Sequence, residues 1–282
     1  MSATDIQIVA DQVVDTCMAD LGPNSTELQL LRCVTGFYSR DFSHGSRDFS
    51  RNVLLVYSTL LVFYMQAGFA MICAGAVRRK NVANTMLKNL LDTCGAAIAF
   101  WAVGYAFTFG GMDFEDPRKT FIGTTNFFLM DVEDLSFWFF QYTFSAAAAT
   151  IVAGTLAERC QMTAYMLYSM LLGGFVYPVV AHSIWSPQGF LSHLSPDPLW
   201  GVGMIDFAGA GIVHMVGGTT ALFATSILGA RRGRFHDSTG RRLDKPREMP
   251  GHSAALEVRT KLRWHFVLMY SLMSSLLKNF PL

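Results

Sequence analysis

Apolar residues in this chain gather into five long runs separated by polar stretches. The runs cover about 52–77, 89–111, 136–157, 161–185 and 203–229. Each reaches the roughly 20 residues that a helix needs to cross a bilayer. The stretches between them alternate in charge. Arg78, Arg79, Lys80 and Lys88 follow the first run, and Arg231, Arg232, Arg234, Arg241, Arg242, Lys245 and Arg247 follow the fifth. Residues 112–135 are acidic, with Asp113, Glu115, Asp116, Asp131, Glu133 and Asp134 against Arg118 and Lys119, and residues 186–202 hold no Lys or Arg. Basic loops stay in the cytoplasm, so this alternation predicts an outside N-terminus and a cytoplasmic C-terminus. An odd number of spans agrees. The organisation expected is an extracellular tail over 1–51, five membrane helices within 52–229, a basic cytoplasmic loop over 230–256 and a divergent tail over 257–282.

Composition supports the membrane reading. The chain has 282 residues, 51% hydrophobic and 15% charged, which is too apolar for an ordinary soluble domain. Its net charge of +1 gives no basis for nucleic-acid binding. The runs are rich in small residues, such as Ala146 to Ala149 in the third and Gly209, Gly211, Gly217 and Gly218 in the fifth. Lipid supplies no hydrophobic drive between helices, so close backbone approach through small side chains does the packing. No zinc-type Cys/His cluster and no cofactor motif is present. Cys17 and Cys33 lie in the N-terminal stretch, where a disulfide and two separate thiols are both open. Asn24-Ser25-Thr26 is a glycosylation acceptor if that stretch is outside.

Two ionisable residues fall inside the fifth run, Asp206 and His214. A carboxylate at mid-helix costs about 2.5–3.5 kcal/mol on insertion scales, so such residues mark a solute path or a partner. Helical rise of 1.5 Å per residue puts His214 about 12 Å deeper than Asp206. Trp185 and His182 end the fourth run near the same surface, and Phe140 and Phe144 share one face of the third. From outside inward the order is an indole with a carboxylate nearby, then phenyl rings, then an imidazole. That order suits a small cation shedding water. A Trp face attracts a cation by roughly 0.5–2 kcal/mol, phenyl rings make a dry constriction, and a neutral imidazole donates or accepts one hydrogen bond. Each residue also has a plainer reading. Trp185 and His182 fit an interfacial belt, Phe140 and Phe144 fit helix packing, and Asp206 fits a cap on the fifth helix.

Four strings carry a resemblance: AGFAMICAGAVRRKN (67–81), LAER (156–159), GFVYPVVAHSIWS (174–186) and DFAGAGIVHMVGG (206–218). Together, over roughly residues 52–256, the chain resembles the ammonium transporter family, close to its plant and algal branch. The resemblance implies an all-α membrane protein of about eleven spans built as an inverted repeat. This chain would supply the N-terminal five-helix repeat. It implies a trimer with one pore per subunit, in the plasma membrane, with ammonium or ammonia as substrate and methylammonium as a candidate second one. It implies no enzyme activity. By resemblance Trp185 and Asp206 belong to an outer ammonium site, Phe144 and the neighbouring Phe140 to a gate, and His214 to the pore as the first of two histidines.

After MPGHSAAL (249–256) the chain departs from the family pattern: Glu257, Arg259, Lys261 and Arg263 interrupt the apolar sixth span expected there. The expectation is a second repeat missing and a chain that conducts poorly or not at all alone, because function in such architectures lies between repeats. A half-length regulator associating with full-length subunits is the alternative. An acid–base enzyme using Asp206 and His214 is disfavoured, since general acid and base must reach one reacting atom within about 3 Å or through one water. A water or glycerol channel is disfavoured by the lack of Asn-Pro-Ala repeats.

Overall fold

The computed structural model describes residues 15–21, 27–116, 118–237, 239–251 and 253. The Asn24-Ser25-Thr26 acceptor and the tail over 257–282 lie outside the described residues. Helices dominate. α1 runs Glu27–Ala76, with Asp48–Ala76 long and apolar enough to cross a membrane. Among the described residues four further helices meet the same test: α2 (Arg79–Phe109), α3 (Leu135–Leu156), α4 (Met162–Trp185) and α5 (Ala210–Leu228). The chain divides into two compact units, Met1–Leu55 and Val56–Leu282. In the first, Cys17 and Cys33 form a disulfide with Cα atoms 5.9 Å apart. Residues 15–21 and those from Glu27 onward are helical, where the sequence had suggested only a polar tail. No proline lies between Asn24 and Asp116 to stop the helix.

α2 begins ten residues before the apolar run that marked it. Its first turns carry polar residues that seemed to belong to a loop. They point inward: Thr85, Lys88, Asn89, Asp92 and Thr93 are all buried, at the three- and four-residue spacing of one helix face. Met86, Leu87, Leu90 and Ile98 are exposed on the other side. The helix is amphipathic with its polar stripe toward protein, as suits a lipid-facing segment. Lys88 therefore belongs to the helix and not to the basic loop after α1. Its Nζ donates to the Cys160 carbonyl at 2.7 Å and lies 5.3 Å from the centre of the Tyr165 ring.

α3 is the hub of the second unit. It packs against α2 and α5, and 61% of its most apolar window is buried, against 28% for α5. Ala146 to Ala149 are at most 1% exposed. The absent bulk lets backbones close up. A Cβ at Gly217 of α5 would stand 2.8 Å from Ile151 Cβ and 3.0 Å from the Ala148 carbonyl. Thr143 and Thr150 return their hydroxyls to carbonyls of their own helix, while Tyr142 donates to the Thr93 carbonyl of α2 and Ser145 to the Gly173 carbonyl of α4. Asp134 caps α3 by accepting from Phe137 N at 2.9 Å. Three spans contain a wide π turn: Phe100–Gly104 in α2, Leu172–Val176 in α4 and Ala210–Met215 in α5. In α4 the turn comes just before Pro178, which lacks an N–H to continue the ladder.

At the end where α1, α3 and α5 finish, Glu158 gathers three segments. Arg159 N bonds to the Leu156 carbonyl at 3.0 Å, closing a turn with Glu158 at φ 61. Oε1 accepts from Arg78 N at 3.2 Å, from Arg78 Nε at 3.0 Å and from Asn81 Nδ2. Arg231 Nη1 lies 3.2 Å from Oε2. One carboxylate thus ties the α1–α2 link, the α3–α4 turn and the segment after α5. Burial pushes this carboxyl up, but the hydrogen bonds from Asn81 and Arg78, with the Arg78 charge, outweigh that and hold it below its ordinary value. Glu158→Gln is expected to cost about 2 kcal/mol of stability at neutral pH, in the range for charge-assisted hydrogen bonds. A carboxyl held low contributes fully above its unfolded value and loses that contribution as pH falls through its folded one. Thermal unfolding of the two proteins in detergent should therefore show a gap at pH 7 that closes below about pH 4.

Candidate functional site

The opposite end of the bundle holds the ends of α2 and α4 and the beginnings of α3 and α5. The sequence had suggested a fifth span starting near residue 203, with Asp206 inside it. In the structure α5 starts at Ala210, and Asp206 precedes it. Gly209 turns the chain into the helix with φ 81, a left-handed conformation that suits glycine. A Cβ there would also strike Val213 Cγ2 at 2.5 Å. The Asp206 carboxylate then faces the helix start. Oδ1 accepts from Gly209 N at 2.8 Å and Ala210 N at 2.9 Å. Oδ2 accepts from Gly211 N and Ile212 N, both at 2.9 Å. The first N–H groups of a helix lack intrahelical partners, and here one buried anion takes four donors at the positive end of the helix dipole.

The same residue also reaches α4. Its backbone carbonyl accepts from Trp185 Nε1 at 2.6 Å. That bond fixes the indole at the last position of α4. The Trp185 ring stands edge-on to Phe144 at 5.5 Å, and Phe144 stands edge-on to Phe140 at 5.0 Å. Phe140 and Phe144 are buried one turn apart on α3, and Trp185 is partly exposed. Trp185 of α4 and Phe144 and Phe140 of α3 therefore form one continuous aromatic run whose indole end is held by Asp206.

His214 is the fifth residue of α5 and is partly buried. Because the helix starts at Ala210, four helical rises, at most about 6 Å, separate its first residue from His214. The sequence estimate of about 12 Å below Asp206 assumed a helix running through both residues, whereas only the Ala210–His214 part of that stretch is helical. His214 Nδ1 lies 3.2 Å from the Gly209 carbonyl, which also accepts from Val213 N and His214 N at 2.9 Å. A carbonyl only accepts, so this contact assigns the proton of a neutral ring to Nδ1 and the acceptor lone pair to Nε2. An Asp206–His214 acid–base pair fails for a reason the sequence did not offer: the carboxylate is already committed to four backbone donors.

His182 is 1% exposed and acts as a tether. Nδ1 lies 2.8 Å from the Thr108 carbonyl and Nε2 2.9 Å from Thr120 Oγ1, joining α4 to the end of α2 and the loop beyond. By the same logic Nδ1 carries the proton and Nε2 accepts from the threonine. The sequence reading missed a second acid within the apolar runs, besides Asp206. Asp92, fully buried, lies 3.2 Å from the Tyr168 hydroxyl of α4, which also contacts the Ala149 carbonyl of α3 at 2.5 Å. The signal was the one that singled out Asp206, an acid within an apolar run. It was hidden because Asp92 stands close to the basic stretch that appeared to be a loop.

The family model described as "Ammonium Transporter Family" matches residues 53–257. The chain is 45% identical over 217 residues to Ammonium transporter 1 member 3 of Solanum lycopersicum, covering 75% of this chain and 45% of that protein. It is 43% identical over 262 residues to Ammonium transporter 1 member 3 of Oryza sativa subsp. japonica, covering 88% and 49%. Among solved structures it is similar to a "Sensor Amt Protein", with TM-score 0.60 and 31% identity over 74% of this chain and 50% of that one. The Candida albicans Mep2 crystal structure shares the fold, with TM-score 0.60 over 79% of this chain and 47% of that one. The chain spans about half the length of the curated relatives it matches.

Removing the Asp206 side chain exposes four donors at once. Asp206→Ala is expected to lower stability by about 2–3 kcal/mol, above the usual cost of a lost cap because the acceptor is charged and buried. Asp206→Asn retains one carbonyl oxygen for two of the donors and should fall between Ala and wild type. Thermal unfolding of the three proteins in one detergent checks the order.

Proposed function

Because the chain belongs to the Ammonium Transporter Family, we propose that it forms one wall of a path for ammonium across a membrane. The observation that carries this reading is the unbroken sequence of contacts from Phe140 through Phe144 and Trp185 to Asp206, Gly209 and His214. Its parts suit a small cation losing water. The Trp185 face attracts a cation. Asp206 acts through position and field, because its oxygens are bound to the helix start. It holds the indole by its carbonyl and keeps negative charge next to the mouth. The phenyl pair of Phe144 and Phe140 excludes bulk water. Beyond it, His214 presents an acceptor on Nε2 to an N–H of the solute. In this reading the mouth opens to the outside of the plasma membrane, and the subunits assemble as trimers.

We further propose that conduction needs protein packed on the open side of α5. Met215, Leu222, Phe223 and Ile227 are exposed there, with Ile227 at 82%. A one-sided wall leaves a polar solute in contact with lipid, which excludes it. The 282-residue polypeptide expressed alone in yeast lacking its own ammonium transporters is expected not to restore growth on low ammonium. Robust growth would overturn this requirement. The exposed face equally favours a second role, association with full-length homologues. Co-expression followed by affinity purification of a tagged copy should recover the homologue, and Trp185→Leu in a complex that conducts should reduce uptake at least tenfold at limiting ammonium, a loss of about 1.4 kcal/mol in recruitment.

A further inference from the structure

The end of the bundle opposite the mouth holds a cavity of about 330 Å³ lined by Arg159, Ala230, Arg231, Arg234 and Phe235. Among the described residues three guanidinium side chains line it, and no carboxylate does. The nearby acid Glu158 is occupied by Arg78, Asn81 and Arg231. Arg159 donates Nη1 to the Gly229 carbonyl at 3.0 Å, while its Nε is buried with no hydrogen-bond partner among the described residues. Burial, and then the closeness of Arg231 and Arg234, hold the Arg159 guanidinium below its usual value, a sign that like charges crowd this space. The cavity has concentrated positive charge and planar forks that match phosphate oxygens in pairs. The pore reading uses none of these groups.

The position of the cavity points to a source. Arg159 follows the end of α3 at Leu156, and Ala230 to Phe235 follow the end of α5 at Leu228. The cavity therefore lies where two spans leave the apolar layer. Phe235 is 39% exposed beside it, with the Arg234 guanidinium 5.5 Å from its ring centre. An aromatic edge next to basic residues at a span end suits the level of lipid headgroups.

We propose that this cavity is a phosphate-binding site filled by the headgroup of an anionic phospholipid. The phosphate lies among the guanidinium groups of Arg159, Arg231 and Arg234, and the acyl chains run along the ends of α3 and α5. The site is independent of ammonium conduction.

The test uses the purified full chain in detergent, with phosphatidylglycerol, phosphatidylcholine and inorganic phosphate as probes, read by native mass spectrometry. Phosphatidylglycerol should bind in preference to phosphatidylcholine. Arg234→Gln, at an exposed position, should weaken it about fivefold, the equivalent of one basic side chain at a membrane surface. Arg159→Gln should do at least as much. Arg232→Gln removes an exposed charge of the same segment that does not line the cavity, and it should leave binding unchanged. Failure of inorganic phosphate to displace the lipid supports the headgroup as ligand. Displacement by phosphate, with the same two arginines required, retains the phosphate site and overturns the lipid as its source. Equal binding of the two lipids, or equal losses for Arg232→Gln and Arg234→Gln, overturns the site altogether.

Discussion

The carboxylate of Asp206 lies against the amides of Gly209, Ala210, Gly211 and Ile212 at the start of α5, and much of the candidate path depends on that contact. A helix that begins inside an apolar layer leaves its N–H groups with neither water nor protein to bond. Each unmet group is expensive there. Asp206 meets all of them and places negative charge where the helix dipole is positive. With the helix start fixed, Gly209 is fixed too, and with it the carbonyl that orients the His214 ring. The backbone carbonyl of the same residue holds Trp185, and the indole in turn rests on Phe144. A single acid thus sets the positions of an aromatic mouth and an imidazole on two different helices.

Glu158 plays the matching part at the other end. It also binds backbone and side-chain donors from segments far apart in sequence, with arginines in place of a helix start. The two acids hold opposite ends of α3, α4 and α5. Between them the bundle is packed through alanine and glycine, and its polar side chains mostly satisfy their own helices. Along the bundle axis the middle is therefore held by packing and the two ends by charge.

Much of this was legible in the sequence because lipid imposes simple rules. Run length predicted five spans, and four strings taken together, DFAGAGIVHMVGG above all, indicated the family. The errors have a common cause. Hydropathy reads polar residues as facing water, but in α2 Lys88, Asn89 and Asp92 face protein, so the helix was started too late and a buried acid was overlooked. The same averaging carried the fifth span back through Asp206. Only φ at Gly209 and the four bonds to the carboxylate separate a residue that precedes a helix from one within it. Spacing indicated that Phe140 and Phe144 share a face, but it had no means to show that Trp185 completes their run, since that contact joins different helices. The role of Glu158 was likewise invisible, because its partners are distant in sequence.

Glu158 has one more consequence. Its backbone sits in the left-handed region, where glycine is at ease and a glutamate is strained by about 1 kcal/mol or more. A change to glycine would relax the turn and release the arginines in the same step. Backbone and side chain thus make opposing demands on one position, and no substitution meets both: asparagine tolerates the turn but has neither the reach nor the charge, and aspartate has the charge but is a methylene short. Drift at this residue is confined from two directions at once, so a working descendant that has lost the glutamate should also carry a rebuilt pair of arginine partners.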